Sequence, residues 1–365
     1  MFDDRSEDAR PAGGGRYYLI QCLRFFAASF VVAYHSVVYV STHGGSLSPD
    51  FAYYFGELSQ VGILIFFAIS GFVITHAIQR RSSADFLWLR ALRIYPGFWI
   101  ASALAVLVHF VVFGRYVWSA RLTQAMTLLP LGVMPGPLGG VEWTLIYEVF
   151  FYVLIAVLWL THSNRVVAGF CGLWAVAIAA GAVLVPSWGA GLDPTFARIG
   201  LSAYNFAFIA GVFAYFVHRR LNLGAARMLA VLVPGFAIAG EFFARTEWKL
   251  GCVALSAFCL VAAVARFALT RDAARDGLLT QGGDASYGLY LFHNTVIVVI
   301  FNSLIGVRQV HWAVGMAGLF GLAMGLGLLY GALEHRVYGA LKARFGRPSW
   351  GIAARATRSA AAEIR

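Results

Sequence analysis

Long, continuous apolar runs fill most of the chain, and short polar or basic segments separate them. Ten runs approach the roughly 20 residues that a transmembrane helix requires. They cover 17–40, 57–78, 96–113, 143–160, 165–185, 199–217, 226–243, 247–267, 287–304 and 312–333. Strands of a membrane β-barrel would alternate polar and apolar over roughly ten residues, and these runs do not. Boundaries are least distinct between the seventh and eighth runs, which share only Arg245-Thr246-Glu247. The pattern predicts an all-α, polytopic membrane helical bundle of about ten spans. A polar tail is expected over 1–16, one membrane domain over 17–335 and a basic tail over 336–365. The head carries acidic residues among its arginines, and no small-residue cleavage site follows the first run. That run therefore reads as a retained span and not as a signal peptide. Two stretches outside the runs stand out: an arginine-rich loop over 79–95 and a longer loop over 114–142.

Composition sharpens this picture. Hydrophobic residues are 60% of the 365, charged residues only 12%, and the mean hydropathy is +0.73. That excludes a soluble globular chain, a disordered chain, a collagen and a coiled coil. The net charge of +11 could suggest nucleic acid, but the basic residues fall between apolar runs, where topology accounts for them. With the N-terminus placed inside, cytoplasmic segments hold 21 Lys and Arg and outer segments six. Both termini are thus expected in the cytoplasm. The four cysteines lie in apolar runs without metal-ligand spacing, so no zinc, other metal or redox role is expected.

Ionisable residues at bilayer depth are costly and are functional candidates by default. The first span holds Arg24 and His35, eleven residues apart. Eleven residues are close to three helical turns, so both side chains share one face about 16 Å apart along the axis. The fourth span holds Glu148 at a depth similar to that of His35, and a His–carboxylate pair there would make a general base. Glu142, at the start of that span, reads as interfacial. In the ninth span Ser286, Tyr290 and His293 share a face. There is no GxSxG elbow, so a Ser–His hydrolase is not indicated. The loop over 79–95 carries Arg80, Arg81, Arg90 and Arg93. Arg90 and Arg93, as i, i+3 neighbours, can address one phosphate group. Ser70-Gly71 interrupts a bulky run and lets a helix or ligand approach closely.

Taken together, LRFFAASFVVAYH, FFAISGFVIT, FLWLRALRIYP, EWTLIYEVFFY and SYGLYLFH resemble the acyltransferase-3 family of integral membrane O-acyltransferases, which modify O-antigens and exopolysaccharides. The likeness covers about residues 17–335 in the right order, and WTLIYEVFFY is most similar to the exopolysaccharide-production branch. The chain departs by placing Glu142 directly before Trp143, where a small residue is expected. No C-terminal extracytoplasmic hydrolase-like domain of the kind found in some members is expected, nor the second activity it would bring.

The resemblance implies transfer of an acyl group, often acetyl, from cytosolic acyl-CoA to a sugar hydroxyl. Arg80, Arg81, Arg90 and Arg93 would bind the CoA phosphates, and Arg24 would lie on the route inward. His35, assisted by Glu148, would take the acceptor proton, and His293 would be a second proton carrier. Trp143, Tyr147, Tyr290 and Ser286 would meet the substrate. The implied setting is the bacterial cytoplasmic (inner) membrane. A glycan or lipid-linked glycan is the implied acceptor, with polysaccharide-assembly proteins as partners and no nucleic acid. A proton-coupled transporter or flippase of a lipid-linked sugar is the competing reading, but no repeat symmetry or pair of broken helices supports it. A purely structural envelope partner would leave Arg24, His35 and Glu148 without a reason.

Overall fold

Within lipid an apolar run can satisfy its backbone only by folding as a helix or a closed barrel, and these runs fold as helices. The computed structural model describes residues 17–43, 49–114, 120–132, 136–185, 194–243, 246–269, 277–305 and 311–346. The expected tail over 1–16, residues 347–365 of the tail expected over 336–365, and 115–119 and 133–135 of the longer loop lie outside the described residues. The helices are α1 (Tyr18–His43), α2 (Pro49–Ile78), α3 (Ser83–Phe113), short α4 (Ala120–Ala125), α5 (Glu142–Leu158), α6 (Asn164–Leu184), α7 (Asn205–Val217), α8 (Leu223–Glu241), α9 (Thr246–Ala268), α10 (Leu278–Ile300) and α11 (Trp312–Phe345). Among the described residues nine helices are long and apolar enough to cross a membrane, and α7 is shorter at 13 residues. Large apolar side chains such as Leu173, Val176, Val183 and Leu184 on α6 point outward, as a lipid-facing surface requires. The protein is a multi-pass membrane helical bundle.

Several boundaries differ from the sequence pattern: α2 starts at Pro49 and α10 at Leu278, eight and nine residues ahead of their runs, and three further differences bear on the site. The sixth run, 199–217, is not one continuous helix. Its first residues form a 3-10 turn at Ile199–Leu201, folded back by Asn205, whose Nδ2 donates to the Ile199 carbonyl at 2.7 Å. Thirteen helical residues rise only about 20 Å, short of the roughly 30 Å hydrocarbon core. The loop expected over 79–95 is helix from Ser83, because the Ser82 side chain caps it by accepting from the Asp85 amide at 3.1 Å. Arg90 and Arg93 therefore ride on the spanning helix α3. Pro96 lies inside that helix and does not end it. Hydroxyls from neighbouring helices serve carbonyls around it, Tyr287 donating to Ile94 at 2.8 Å and Tyr330 to Gly97 at 2.7 Å. Lastly, α11 runs to Phe345, so the boundary drawn at 335 falls within a helix.

α1 packs against α2 and α10, α2 crosses α7, and α10 lies along α11. Small residues allow the closest crossings. A Cβ on Gly71 would meet the Phe208 carbonyl oxygen of α7, and one on Gly211 would meet the Ala68 carbonyl oxygen of α2. The glycine of Ser70-Gly71 thus serves a helix crossing.

Candidate functional site

Helix geometry brings His35 of α1 against His293 of α10. His293 is fully buried, and its Nδ1 lies 3.2 Å from the Leu289 carbonyl oxygen. A carbonyl can only accept, so the proton sits on Nδ1 and the lone pair on Nε2. His35 Nδ1 lies 3.0 Å from the Val31 carbonyl oxygen and 3.1 Å from His293 Nε2. It too carries the proton, shared between two acceptors. These tautomers follow from the hydrogen-bond network. The lone pair of His35 is left on Nε2, which has no hydrogen-bond partner among the described residues.

Three cavities meet along this line. An inner chamber of about 110 Å³ is lined by Arg24, Ser70, Arg90, Arg93, Glu148 and Tyr290, with Ser286 and Tyr287 on the α10 wall. An outer cavity of about 530 Å³ holds His35, Glu57, Gln60, Trp143, Tyr204 and Tyr290. A third, of about 320 Å³, holds His35, His109 and Asn294. Ile63 and Tyr290 line both the inner chamber and the outer cavity, and His35 and Gly139 line both the second and third. His35 therefore stands where two cavities join. Tyr290 stands between them and the arginines, its hydroxyl bonded to Thr144 at 2.8 Å and to the Val141 carbonyl at 3.1 Å.

In the inner chamber the three guanidinium groups differ. Arg93 is neutralised by Glu334 of α11, its Nη1 lying 2.7 and 2.9 Å from the two carboxylate oxygens. Tyr287 and Tyr338 rings flank it at 4.8 and 4.9 Å. Arg90 lies over Phe86 and Tyr152 at 5.4 and 5.5 Å. Arg24 and Arg90 make no hydrogen bond or ion pair with any described residue. Glu148 accepts from the Tyr152 hydroxyl at 2.5 Å and from Ser70 at 3.4 Å. The chamber thus offers two guanidinium groups with open donors beside one carboxylate, an environment for an anionic or strongly polar ligand.

These positions revise several expectations. Glu148 does not pair with His35; it lines the arginine chamber, and the group on His35 is His293. Arg90 and Arg93 do reach one chamber, but Arg93 is already engaged by Glu334. Arg80 and Arg81 sit exposed on the turn after α2 and line none of the three cavities. Trp143 lines the outer cavity and Tyr290 two cavities, while Ser286 lines the inner chamber and donates to the Gly283 carbonyl at 2.7 Å. Tyr147 is 1% exposed, packed among Phe67, Phe151 and Tyr204, and lines none of these cavities. Glu142 is not interfacial but fully buried. It accepts from the Leu138 amide at 2.5 Å and the Gly140 amide at 2.9 Å. It thereby clamps the turn whose Gly139, at φ +75°, faces Asn294. That explains a carboxylate before Trp143: it holds the wall shared by two cavities. Sequence reasoning missed Tyr152 and Glu334. Tyr152 lies one turn from Glu148, and Glu334 is the single acidic residue of α11, so both had a signal.

A multi-pass bundle with a paired-histidine base joined to an arginine chamber has the parts of a group-transfer enzyme. The family described as "Acyltransferase domain", the acyltransferase-3 family, matches residues 17–331, and the chain belongs to it. It is a membrane acyltransferase. It is 28% identical over 258 residues to the exopolysaccharide production protein ExoZ of Rhizobium meliloti (strain 1021), covering 67% of this chain and 78% of that protein. It is 28% identical over 335 residues to nodulation protein 10 of Rhizobium leguminosarum bv. viciae, covering 80% of this chain and 84% of that protein. No solved structure matches the chain significantly.

Proposed function

We propose that this acyltransferase moves an acyl group, acetyl in the simplest case, from cytosolic acyl-CoA to a sugar hydroxyl of an exported or cell-surface glycan. The observation that carries the reading is the open Nε2 of His35, held by His293 at the junction of the cavities. Two rhizobial relatives, one of them named for exopolysaccharide production, support a glycan acceptor.

In this reading the donor enters at the arginine chamber. Arg24 and Arg90 meet its polar or anionic part, with Glu148 limiting the local positive charge. The thioester passes Tyr290 toward His35, about 16 Å along α1 from Arg24. An acceptor hydroxyl then attacks the thioester carbonyl while His35 Nε2 takes its proton. The C–O bond forms, the C–S bond breaks, and the proton passes to the departing CoA thiolate. His293 Nε2, accepting from His35 Nδ1–H, stabilises the imidazolium that forms meanwhile. The excess of basic residues in one set of connections supports cytoplasmic termini and a bacterial inner-membrane location, with the arginine chamber on the cytoplasmic side.

The test is acyl-CoA-dependent transfer of labelled acetate to a glycan extract by purified protein. Transfer by the wild type and its loss in Arg24→Ala and His35→Ala support the reading. Proton-coupled movement of a lipid-linked sugar without acyl transfer would refute it.

A further inference from the structure

The outer cavity beside His35 carries polar groups that the protein leaves unmatched. Serines on α1 turn their hydroxyls back to their own helix, Ser29 donating to Phe25 at 2.9 Å and Ser36 to Val32 at 2.9 Å. Ser59, buried on α2 as Ser36 is on α1, does not, and it lines the cavity. The Gln60 amide and the Tyr204 hydroxyl also line it without a hydrogen-bond partner among the described residues. These polar atoms face the cavity and are not sealed off from it, so three opening on one cavity offer hydrogen bonds to a polar occupant. Trp143 and Tyr204, with ring centroids 4.9 Å apart, add an aromatic wall.

Charge narrows the class of ligand. No arginine or lysine lines this cavity. Its carboxylate, Glu57, is met from outside by Lys249 at 2.7 Å, and that lysine is already shared with Glu241 at 3.1 Å. An anionic ligand would sit beside Glu57 with no free cation to meet it. A neutral sugar suits all these features, because its hydroxyls both donate and accept and its C–H face is apolar.

We propose that this cavity is the acceptor subsite and is built for an uncharged sugar residue, read by Ser59, Gln60 and Tyr204 and stacked on Trp143. This assignment rests on the glycan acyl-transfer reading above and gives it a substrate class. Glycans whose acylated residue is a uronate or a sugar phosphate are disfavoured, because no arginine or lysine lines the cavity to meet their charge and Lys249 is already paired with Glu57.

The experiment uses the full-length protein in nanodiscs without acyl donor. Neutral gluco-, galacto- and manno-oligosaccharides and their C6-oxidised uronate forms are titrated by calorimetry. At least one neutral form should bind, and its uronate counterpart should bind at least tenfold more weakly. Gln60→Ala should weaken neutral binding about tenfold and leave acyl-CoA binding unchanged. Tyr204→Phe, which removes one oxygen, should do the same even if the Gln60 variant fails to fold. Equal binding of neutral and uronate forms, no binding of any neutral form, or unaltered binding by Tyr204→Phe would overturn the subsite. Neutral binding here, with no transfer in the labelled-acetate assay described above, would keep the sugar subsite and refute the proposed transfer from acyl-CoA. Acyl transfer to a uronate independent of Tyr204 would do the reverse.

Discussion

At His35 the helix backbone sets the chemistry. The Val31 carbonyl fixes the Nδ1 proton, and His293, fixed in turn by Leu289, accepts a share of it. Removing the base should therefore cost catalysis and not folding: His35→Ala should lower kcat by about 10²- to 10⁴-fold, with unchanged detergent gel-filtration behaviour. His293→Asn should lower kcat by less and leave both KM values nearly unchanged, because it acts on the charge of His35 and not on substrate binding. A rise in KM with kcat intact would instead place His293 in substrate binding. The eleven-residue spacing of Arg24 and His35 puts each on the wall of a cavity, Arg24 in the inner chamber and His35 in the outer one. The partner of His35 was not legible in the sequence: Glu148 was expected at the depth of His35, but it lies beside Arg24, about three helical turns along α1 from His35, and α5 packs against α2 and α3 whereas α1 packs against α2 and α10. α5 begins already buried, at Glu142, so counting turns from its first residue as if that were the surface misplaces Glu148.

Among the helices, α3 is where sequence and structure diverge most. Arg90, Arg93 and an internal proline made residues 79–95 read as a loop, yet the Ser82 cap starts the helix early and two tyrosine hydroxyls serve carbonyls around Pro96. Arg93 can lie there because Glu334 of α11 neutralises it, with side chains 15% and 3% exposed. Glu334→Gln leaves a nearly buried guanidinium without its carboxylate and should destabilise the protein by about 3 kcal/mol. A thermal midpoint in detergent measures this, and Arg93→Met combined with Glu334→Leu should recover most of the loss. Gly71→Val should also lower the midpoint, because its Cβ meets the Phe208 carbonyl oxygen at the α2–α7 crossing. An unchanged midpoint would mean that the two helices can separate without cost.

Across the whole molecule, the apolar runs foretold the bundle well, because a hydrocarbon solvent leaves the backbone few alternatives. The exception is α7, where a polar Asn205 folds a 3-10 turn inside an apolar run. Counted over ten crossings, the one at α7 included, the 21-to-6 division of basic residues predicts one orientation for the whole bundle. Reporter fusions after the last helix should be active on the cytoplasmic side, and activity on the outer side would reverse the proposed donor entry. The central claim joins the two ends: a donor entering among Arg24 and Arg90 is met at His35 by a glycan hydroxyl. The most direct measurement is transfer of radiolabelled acetyl from acetyl-CoA to a glycan extract by the purified protein in nanodiscs, compared with His35→Ala. Label on glycan with the wild type and none with folded His35→Ala is the predicted result. Undiminished transfer by His35→Ala, or no transfer by the wild type from any acyl-CoA, would contradict the account.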